Sequence, residues 1–260
     1  MLDAHRVTAA PVSVPAAITL TNVRKRFGTG AREVVALDGI SLKAQPGEFV
    51  CVVGASGCGK STLLSLIAGL DEPTAGTVRT AGRVALMFQD AALLPWRTAL
   101  GNVELALAVR GTPRGERRER ARQLLDVVRL GEFVDRRPHE LSGGMRQRVA
   151  LARALAQGAE ILLMDEPFGA LDAITRDLLH DEIERVATEQ RLTVVFVTHN
   201  VREAARLGDR IVLLSSRPGR VAASFDVHVQ RPRRIESPAV SRLAAEVTEH
   251  LRQEVRRHAR

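Results

Sequence analysis

Tyrosine is absent from these 260 residues, tryptophan occurs once and phenylalanine seven times. So few rings leave little on which to stack unpaired bases, which counts against a single-strand nucleic-acid binder. The two cysteines, Cys51 and Cys58, are too few for a disulfide framework. No stretch approaches the roughly 18 consecutive apolar residues of a membrane-spanning helix. The first residues carry Asp3, His5 and Arg6, with Pro11 and Pro15 soon after, and read as neither a secretory signal nor an anchor. A chain kept in the cytosol is expected, with both thiols reduced. Lysine is confined to Lys25, Lys43 and Lys60, so arginine supplies nearly all of the formal charge of +8. Six arginines fall in 110–122 and eight in 231–260. Solvated helix faces are the bland reading of these clusters. An anionic membrane surface is the next, since each basic residue near one contributes about 1 kcal/mol.

What is present is concentrated in one loop. Gly54, Ala55, Ser56, Gly57, Cys58, Gly59, Lys60, Ser61 and Thr62 fit the phosphate-binding pattern G-x-x-x-x-G-K-[ST]. The apolar run 49–53 before it reads as a buried strand, and 61–69 after it as a helix burying Leu63, Leu64, Leu66 and Ile67. Strand, glycine-rich loop and helix is the setting that the motif needs. Backbone N–H groups wrap a polyphosphate there, and the helix dipole favours the negative charge. Lys60 adds a point charge for the terminal phosphates, and the Ser61 hydroxyl suits Mg²⁺. A nucleophile elbow, G-x-S-x-G, fails because Cys58 stands where its last glycine belongs. The loop therefore predicts a nucleoside triphosphate site, with ATP the expected nucleotide. Cys58, beside that site, is expected to be easily alkylated.

Along the chain, 1–16 reads as a flexible tail. Ile18–Phe27 and 34–42 read as an antiparallel pair, and Pro46-Gly47 turns into the strand before the loop. After a turn region at 71–76, 83–88 reads as a strand. The pattern is helical over 93–141 and returns to apolar strands at 161–164, 193–198 and 210–214. Strands alternating with helices predict a mainly parallel sheet. The expected division is a nucleotide-binding unit over 17–228, with a helical subdomain inserted at about 93–150, and a basic C-terminal extension over 229–260. Leu243, Val247 and Leu251 mark a helix in that extension. No internal repeat is present.

Two carboxylates, Asp165 and Glu166, end the strand at 161–164. Beside a phosphate loop this is where a metal ligand and a residue to orient the attacking water are needed. Alone, the pair is equally well an ordinary strand end. His199 follows another apolar strand. A lone histidine there is most often a surface residue, yet ligands of open α/β sheets sit beyond the carboxyl ends of the strands. Ser142, Gly143 and Gly144 can open a helix with free N–H groups, a second anion site, although Ser-Gly-Gly is a common turn.

Taken together and in order, these motifs resemble the ATP-binding cassette family. The stretch 18–216 is similar to an ATPase subunit of an ABC transporter, with Leu141-Ser142-Gly143-Gly144-Met145-Arg146-Gln147-Arg148 as its signature sequence. The resemblance implies an α/β P-loop NTPase cassette: a mainly parallel core sheet, an antiparallel β unit and an inserted helical subdomain. It implies that Phe27 stacks on adenine and that 54–62 is the Walker A loop. Gln89 would touch Mg²⁺ and link the site to the membrane partner. Asp165 and Glu166 would be the Walker B aspartate and the catalytic glutamate, and His199 the switch histidine. Ala170-Leu171-Asp172 would be the D-loop at a dimer interface. Ser142, Gly143 and Gly144 would contact the γ-phosphate of ATP held by an opposite subunit.

The implied cofactors are ATP and Mg²⁺. The implied partners are a second cassette, expected to be identical, an integral-membrane permease and, indirectly, a periplasmic or lipid-anchored solute-binding protein. No nucleic acid is expected, and the place of work is the cytoplasmic face of the membrane. Leu93-Leu94-Pro95-Trp96, Asn102-Val103, Asp172-Ala173-Ile174-Thr175-Arg176, Arg217-Pro218-Gly219-Arg220 and Arg231-Pro232-Arg233 resemble the nitrate, sulfonate and taurine importer ATPases. Two other readings remain: a cassette protein acting on DNA or ribosomes, which usually has two cassettes, a long coiled coil or a zinc insertion, and an exporter ATPase, against which the Pro95-Trp96 region and the arginine-proline tail argue.

Overall fold

Phe49–Val53 has no polar side chain and is buried throughout, which puts it inside a sheet covered on both faces. In the computed structural model, which describes residues 15–169 and 171–258, it is β3 of a six-stranded sheet. The strands are β5 (Val84–Met87), β6 (Ile161–Asp165), β7 (Thr193–Val197), β3, β8 (Arg210–Leu214) and β9 (Val221–Asp226), in that spatial order. All neighbours are parallel except β8 and β9. A separate antiparallel sheet has the order β2 (Val34–Ala44), β1 (Ile18–Phe27), β4 (Ala75–Thr80).

Side chains alternate across a strand, and β3 divides the core in two by that rule. Val50 and Val52 join Leu63, Leu64, Leu66 and Ile67 of α1 (Lys60–Ile67) and the antiparallel sheet's Ile18, Leu20, Leu37 and Ile40. Phe49, Cys51 and Val53 face the other helices. Cys51 and Cys58 thus lie in different clusters on opposite sides of the sheet, and both are free thiols.

The helical stretch resolves into α2 (Ala99–Val109), α3 (Arg114–Val127) and α4 (Gly143–Ala156), which pack on one another. Short 3-10 turns at Gly131–Phe133 and Pro138–Glu140 join the last two. The expected subdomain edge at about 150 falls inside α4, a single continuous helix. On the remaining flank are α5 (Ala173–Glu189), α6 (Val201–Leu207) and α7 (Pro238–His258). Val240, Ala244 and Val247 bury one stripe of α7, with Leu243 and Leu251 packed beside it; the helix lies on α6. No described helix is long and apolar enough to cross a membrane.

Two strands were not expected from the sequence, β4 and β9. Both lie at sheet edges and are mostly exposed, so neither carries an apolar run. The C-terminal extension spends part of its positive charge internally. Arg231 donates to Glu184 at 2.6 Å and to Asp209 at 2.8 Å. Arg233 is buried and donates to the Val229 carbonyl at 2.7 Å. The expected N-terminal tail lies almost wholly outside the described residues, as does Ala170 of the expected D-loop.

Candidate nucleotide site

Sheet register fixes which side chains can meet. Val52 stands level with Val197, and Val197 with Asp165. Two residues beyond Val52 the phosphate loop begins at Gly54; two beyond Val197 stands His199; one beyond Asp165 stands Glu166. Three strand ends therefore deliver their groups to one edge, as ligand sites of open α/β sheets require. Cross-strand bonds lock the exits: the Glu166 N–H donates to the Val197 carbonyl at 3.0 Å, and the Thr198 N–H to the Val52 carbonyl at 3.2 Å.

The loop's shape is written in its glycines. Gly59 has φ +100, and a Cβ there would lie 2.7 Å from Leu37 Cδ2 and 2.9 Å from the Ala36 carbonyl oxygen. Only glycine permits both the left-handed backbone and that approach. Lys60 is buried, and its ammonium donates to the carbonyls of Gly54 at 3.0 Å and Ala55 at 3.1 Å. Cys58 does not behave as expected. It is 1% exposed and burial pushes its thiol pKa up, so it is a packing residue rather than an easily alkylated one. Its sulfur would lie 2.7 Å from a Cβ at Gly54.

Glu166 and His199 meet. Glu166 Oε2 lies 2.8 Å from His199 Nδ1, and Oε1 lies 4.0 Å from the Lys60 ammonium. Glu166 also adopts φ +46, a left-handed backbone that is costly for a side chain of this size and is kept where surrounding structure enforces it. A cavity of about 270 Å³ is lined by Phe27, the loop residues Ser56, Gly57, Gly59, Lys60, Ser61 and Thr62, and Glu166. Phe27 offers a ring 45% exposed at its rim, with the Lys25 ammonium 5.0 Å from the ring centre.

The same cavity includes Arg217, whose position among the nucleotide-site residues the sequence did not indicate. The 217–220 turn braces the loop from beneath. The Gly219 N–H donates to Ala36 at 2.9 Å and its carbonyl accepts from Asp38 at 2.9 Å. A Cβ on Gly219 would lie 2.2 Å from the Cys58 carbonyl oxygen. Arg220 Nε donates to Asp38 at 3.0 Å, and that bond leads the causes that lower the Asp38 pKa.

The remaining expected residues do not line that cavity. Ser142 caps α4, its hydroxyl accepting from the Met145 N–H at 3.2 Å. Gly143 lines a second cavity together with Gln89 and Leu171. Gly144 faces α5, where a Cβ would come within 2.4 Å of Thr175 Cγ2; its lack of a side chain permits close helix packing within the chain. Gln89 is exposed, and its carbonyl accepts from Gln147 at 2.7 Å. Asp172 caps α5 by accepting from the Thr175 N–H at 3.0 Å, a bond that lowers its pKa. Asp165 is half-buried at the end of β6.

Comparison with known proteins agrees with this geometry. Residues 37–169 match the ABC transporter family. An aliphatic sulfonates import ATP-binding protein of Burkholderia lata is 50% identical over 246 residues, which cover 92% of this chain and 73% of that protein. A bicarbonate transport ATP-binding protein of a Synechocystis species is 43% identical over 255 residues, 92% of this chain but 38% of that longer protein. A solved dimeric ATP-binding cassette, in a post-hydrolysis state bound to ADP and Pi, superposes with a TM-score of 0.72 at 36% identity, covering 82% of this chain and all of that one. A phosphate loop, a carboxylate and a histidine meet on one sheet edge, the family match spans residues 37–169, and relatives align over most of the chain; together these lead to one conclusion: this chain belongs to the ABC transporter family as an ATP-binding cassette.

Proposed function

We propose that this chain is the ATP-hydrolysing subunit that powers import of a small solute, working at the cytoplasmic face of the membrane against an integral-membrane permease. The observation that carries the reading is a division of the site. The phosphate loop, Lys60 and Glu166 share one cavity, while Gly143 opens onto another. A second, identical chain would supply the signature face that this half lacks.

In that arrangement Phe27 holds the adenine and the loop at 54–62 wraps the phosphates. Ser142, Gly143 and Gly144 of one chain meet the γ-phosphate bound by the other, and Asp172 lies at the junction. Glu166 orients the attacking water and accepts its proton, and His199 holds the carboxylate in place. Lys60 stabilises charge on the transferring group. Ser61, Asp165 and Gln89 offer the hard oxygen donors that suit Mg²⁺, which when bound would neutralise phosphate charge. Closure excludes water, and loss of the shared anion lets the pair open. The helical subdomain, α2, α3 and the first half of α4, moves with the permease through Gln89.

The sulfonate and bicarbonate relatives support a small anion delivered by a periplasmic or lipid-anchored binding protein. The cassette does not touch the solute, so the test is coupled. ATP hydrolysis by the chain reconstituted with its permease is expected to rise when binding protein loaded with a sulfonate, taurine, nitrate or bicarbonate is added. Turnover by the isolated chain is expected to rise more steeply than linearly with protein concentration. A strictly linear dependence would sink the two-chain site, and indifference to every loaded binding protein would sink the import reading.

A further inference from the structure

Behind Glu166 and His199 lies a buried polar cluster to which none of the motifs assigns a task. Glu203, in the first turn of α6, is 5% exposed. Its carboxylate accepts from the Thr198 hydroxyl at 2.6 Å and lies 3.5 Å from Arg176 Nε. Thr198 is the residue before His199, and its hydroxyl also accepts the Asn200 N–H at 3.0 Å. Arg176, in the first turn of α5, reaches the other way. Its guanidinium donates to the Leu171 carbonyl at 2.7 Å and the Phe168 carbonyl at 3.4 Å. One ion pair thus spans the two segments that leave β6 and β7. Between it and the Glu166–His199 pair is a cavity of about 30 Å³, room for roughly one water molecule.

We infer that Arg176 and Glu203 form a positioning pair, which fixes the segment carrying Glu166 against the segment carrying His199 and so sets the geometry of hydrolysis without touching ATP. The inference rests on Glu166 and His199 acting at the γ-phosphate. Three features support it. A buried carboxylate is costly unless its lone pairs are taken up, and here the takers are Thr198, next to His199, and an arginine committed to two backbone carbonyls. The rigid, planar guanidinium links all three groups: Nη2 holds the Leu171 carbonyl, while Nε lies within 3.5 Å of both the Phe168 carbonyl and the Glu203 carboxylate. Finally, Glu166 holds a left-handed backbone, and the segment that follows it is the one Arg176 ties down.

The test uses the full chain with Arg176→Met, Glu203→Gln and the double variant. Affinity is read by titration with a fluorescent ATP analogue, and turnover by phosphate release at saturating ATP. The expected result is affinity within about twofold of wild type, with kcat lower by roughly tenfold or more in each single variant. The double variant is expected to fall no further than the worse single one, because both remove one coupling. Should Arg176→Met not fold, Arg176→Lys, which keeps the charge but loses the fork, carries the same test with an intermediate fall in kcat. Single variants with wild-type kcat, multiplying losses in the double, or a loss of affinity matching the loss of turnover would overturn the inference. Glu166→Gln run alongside separates the two ideas: if it turns over normally, the reading of the site fails, and if it is inactive while Arg176→Met is normal, only the positioning pair fails.

Discussion

His199 Nδ1 lies 2.8 Å from Glu166 Oε2, and this contact is made with His199 largely exposed and Glu166 only partly so. The carboxylate is thus held on one side by a histidine that packs against little else, with the Lys60 ammonium 4.0 Å away on the other. On the proposed reading, binding falls to the loop and Lys60 and hydrolysis to Glu166, a division that the variants below test.

Glu166→Gln keeps the shape and the contact to His199 but removes the basic oxygen. ATP affinity is expected to stay near wild type while turnover falls by at least about a hundredfold, and size-exclusion chromatography with ATP should show an accumulated dimer. A mutant hydrolysing at the wild-type rate contradicts the role given to this residue.

Ser142 has a local task as well as a proposed distant one. Ser142→Ala removes the cap of α4 and is expected to cost about 1 kcal/mol of stability, read by urea denaturation. Ser142→Arg should leave nucleotide binding at Lys60 intact and abolish hydrolysis. Equal loss of binding in that variant would place Ser142 in the same half-site as Lys60.

Gly59→Ala forces a side chain onto φ +100 and into Leu37 and Ala36. A loss of about 1–3 kcal/mol is expected, together with much weaker ATP binding, since the loop must shift away from Ala36. Unchanged affinity in calorimetric titration would mean that the cradle's shape is not what holds the phosphates.

His180 is fully buried, with Arg206 Nη1 3.2 Å from its Nδ1. Burial first, then Arg206 and Arg176, bring its pKa from 6.5 down to about 3. Between those values the unfolded chain holds the extra proton, so stability is expected to fall as pH drops through that window, by up to about 1.4 kcal/mol per pH unit. Glu203, whose pKa is raised by burial, acts in the opposite direction above 4.5. The measurement is accordingly a difference: thermal melts of wild type and His180→Gln should diverge below pH 6.5, with the variant losing less. Parallel curves would refute the assignment of a neutral buried ring.

The elements legible in the sequence share one property, a signal carried by neighbours in the chain. The β3 apolar run, the glycines and lysine of the loop, and the Asp165-Glu166 strand end each announce themselves within ten residues or so. β4 and β9 do not, because an exposed edge strand such as Ala-Gly-Thr-Val-Arg-Thr needs no apolar side chains when its partner supplies the burial. Cys58 departs from expectation because the motif fixes its place beside the phosphates but says nothing about which way the sulfur points. What Arg217, Arg176 and Glu203 do is not legible for a further reason: each acts on a residue that only the tertiary fold brings near. The Arg217-Pro218-Gly219-Arg220 stretch was visible as a subgroup feature, yet its work as a brace under the phosphate loop emerges only once Gly219 is seen against Cys58 and Ala36.

The pairing of β3 with β7 and β8 has a bearing on how the protein is made. The phosphate loop is synthesised early, but the strands that flank its own strand, and the turn that braces it, follow only at 193–221. During translation the loop therefore emerges well before the strands on either side of β3 and the turn that braces it, and closing so large a stretch of chain is slow compared with local helix formation. A nascent chain should acquire affinity for ATP late and abruptly, once β8 and the 217–220 turn have left the ribosome. Until then its most recognisable sequence is an unformed loop on an unpaired strand.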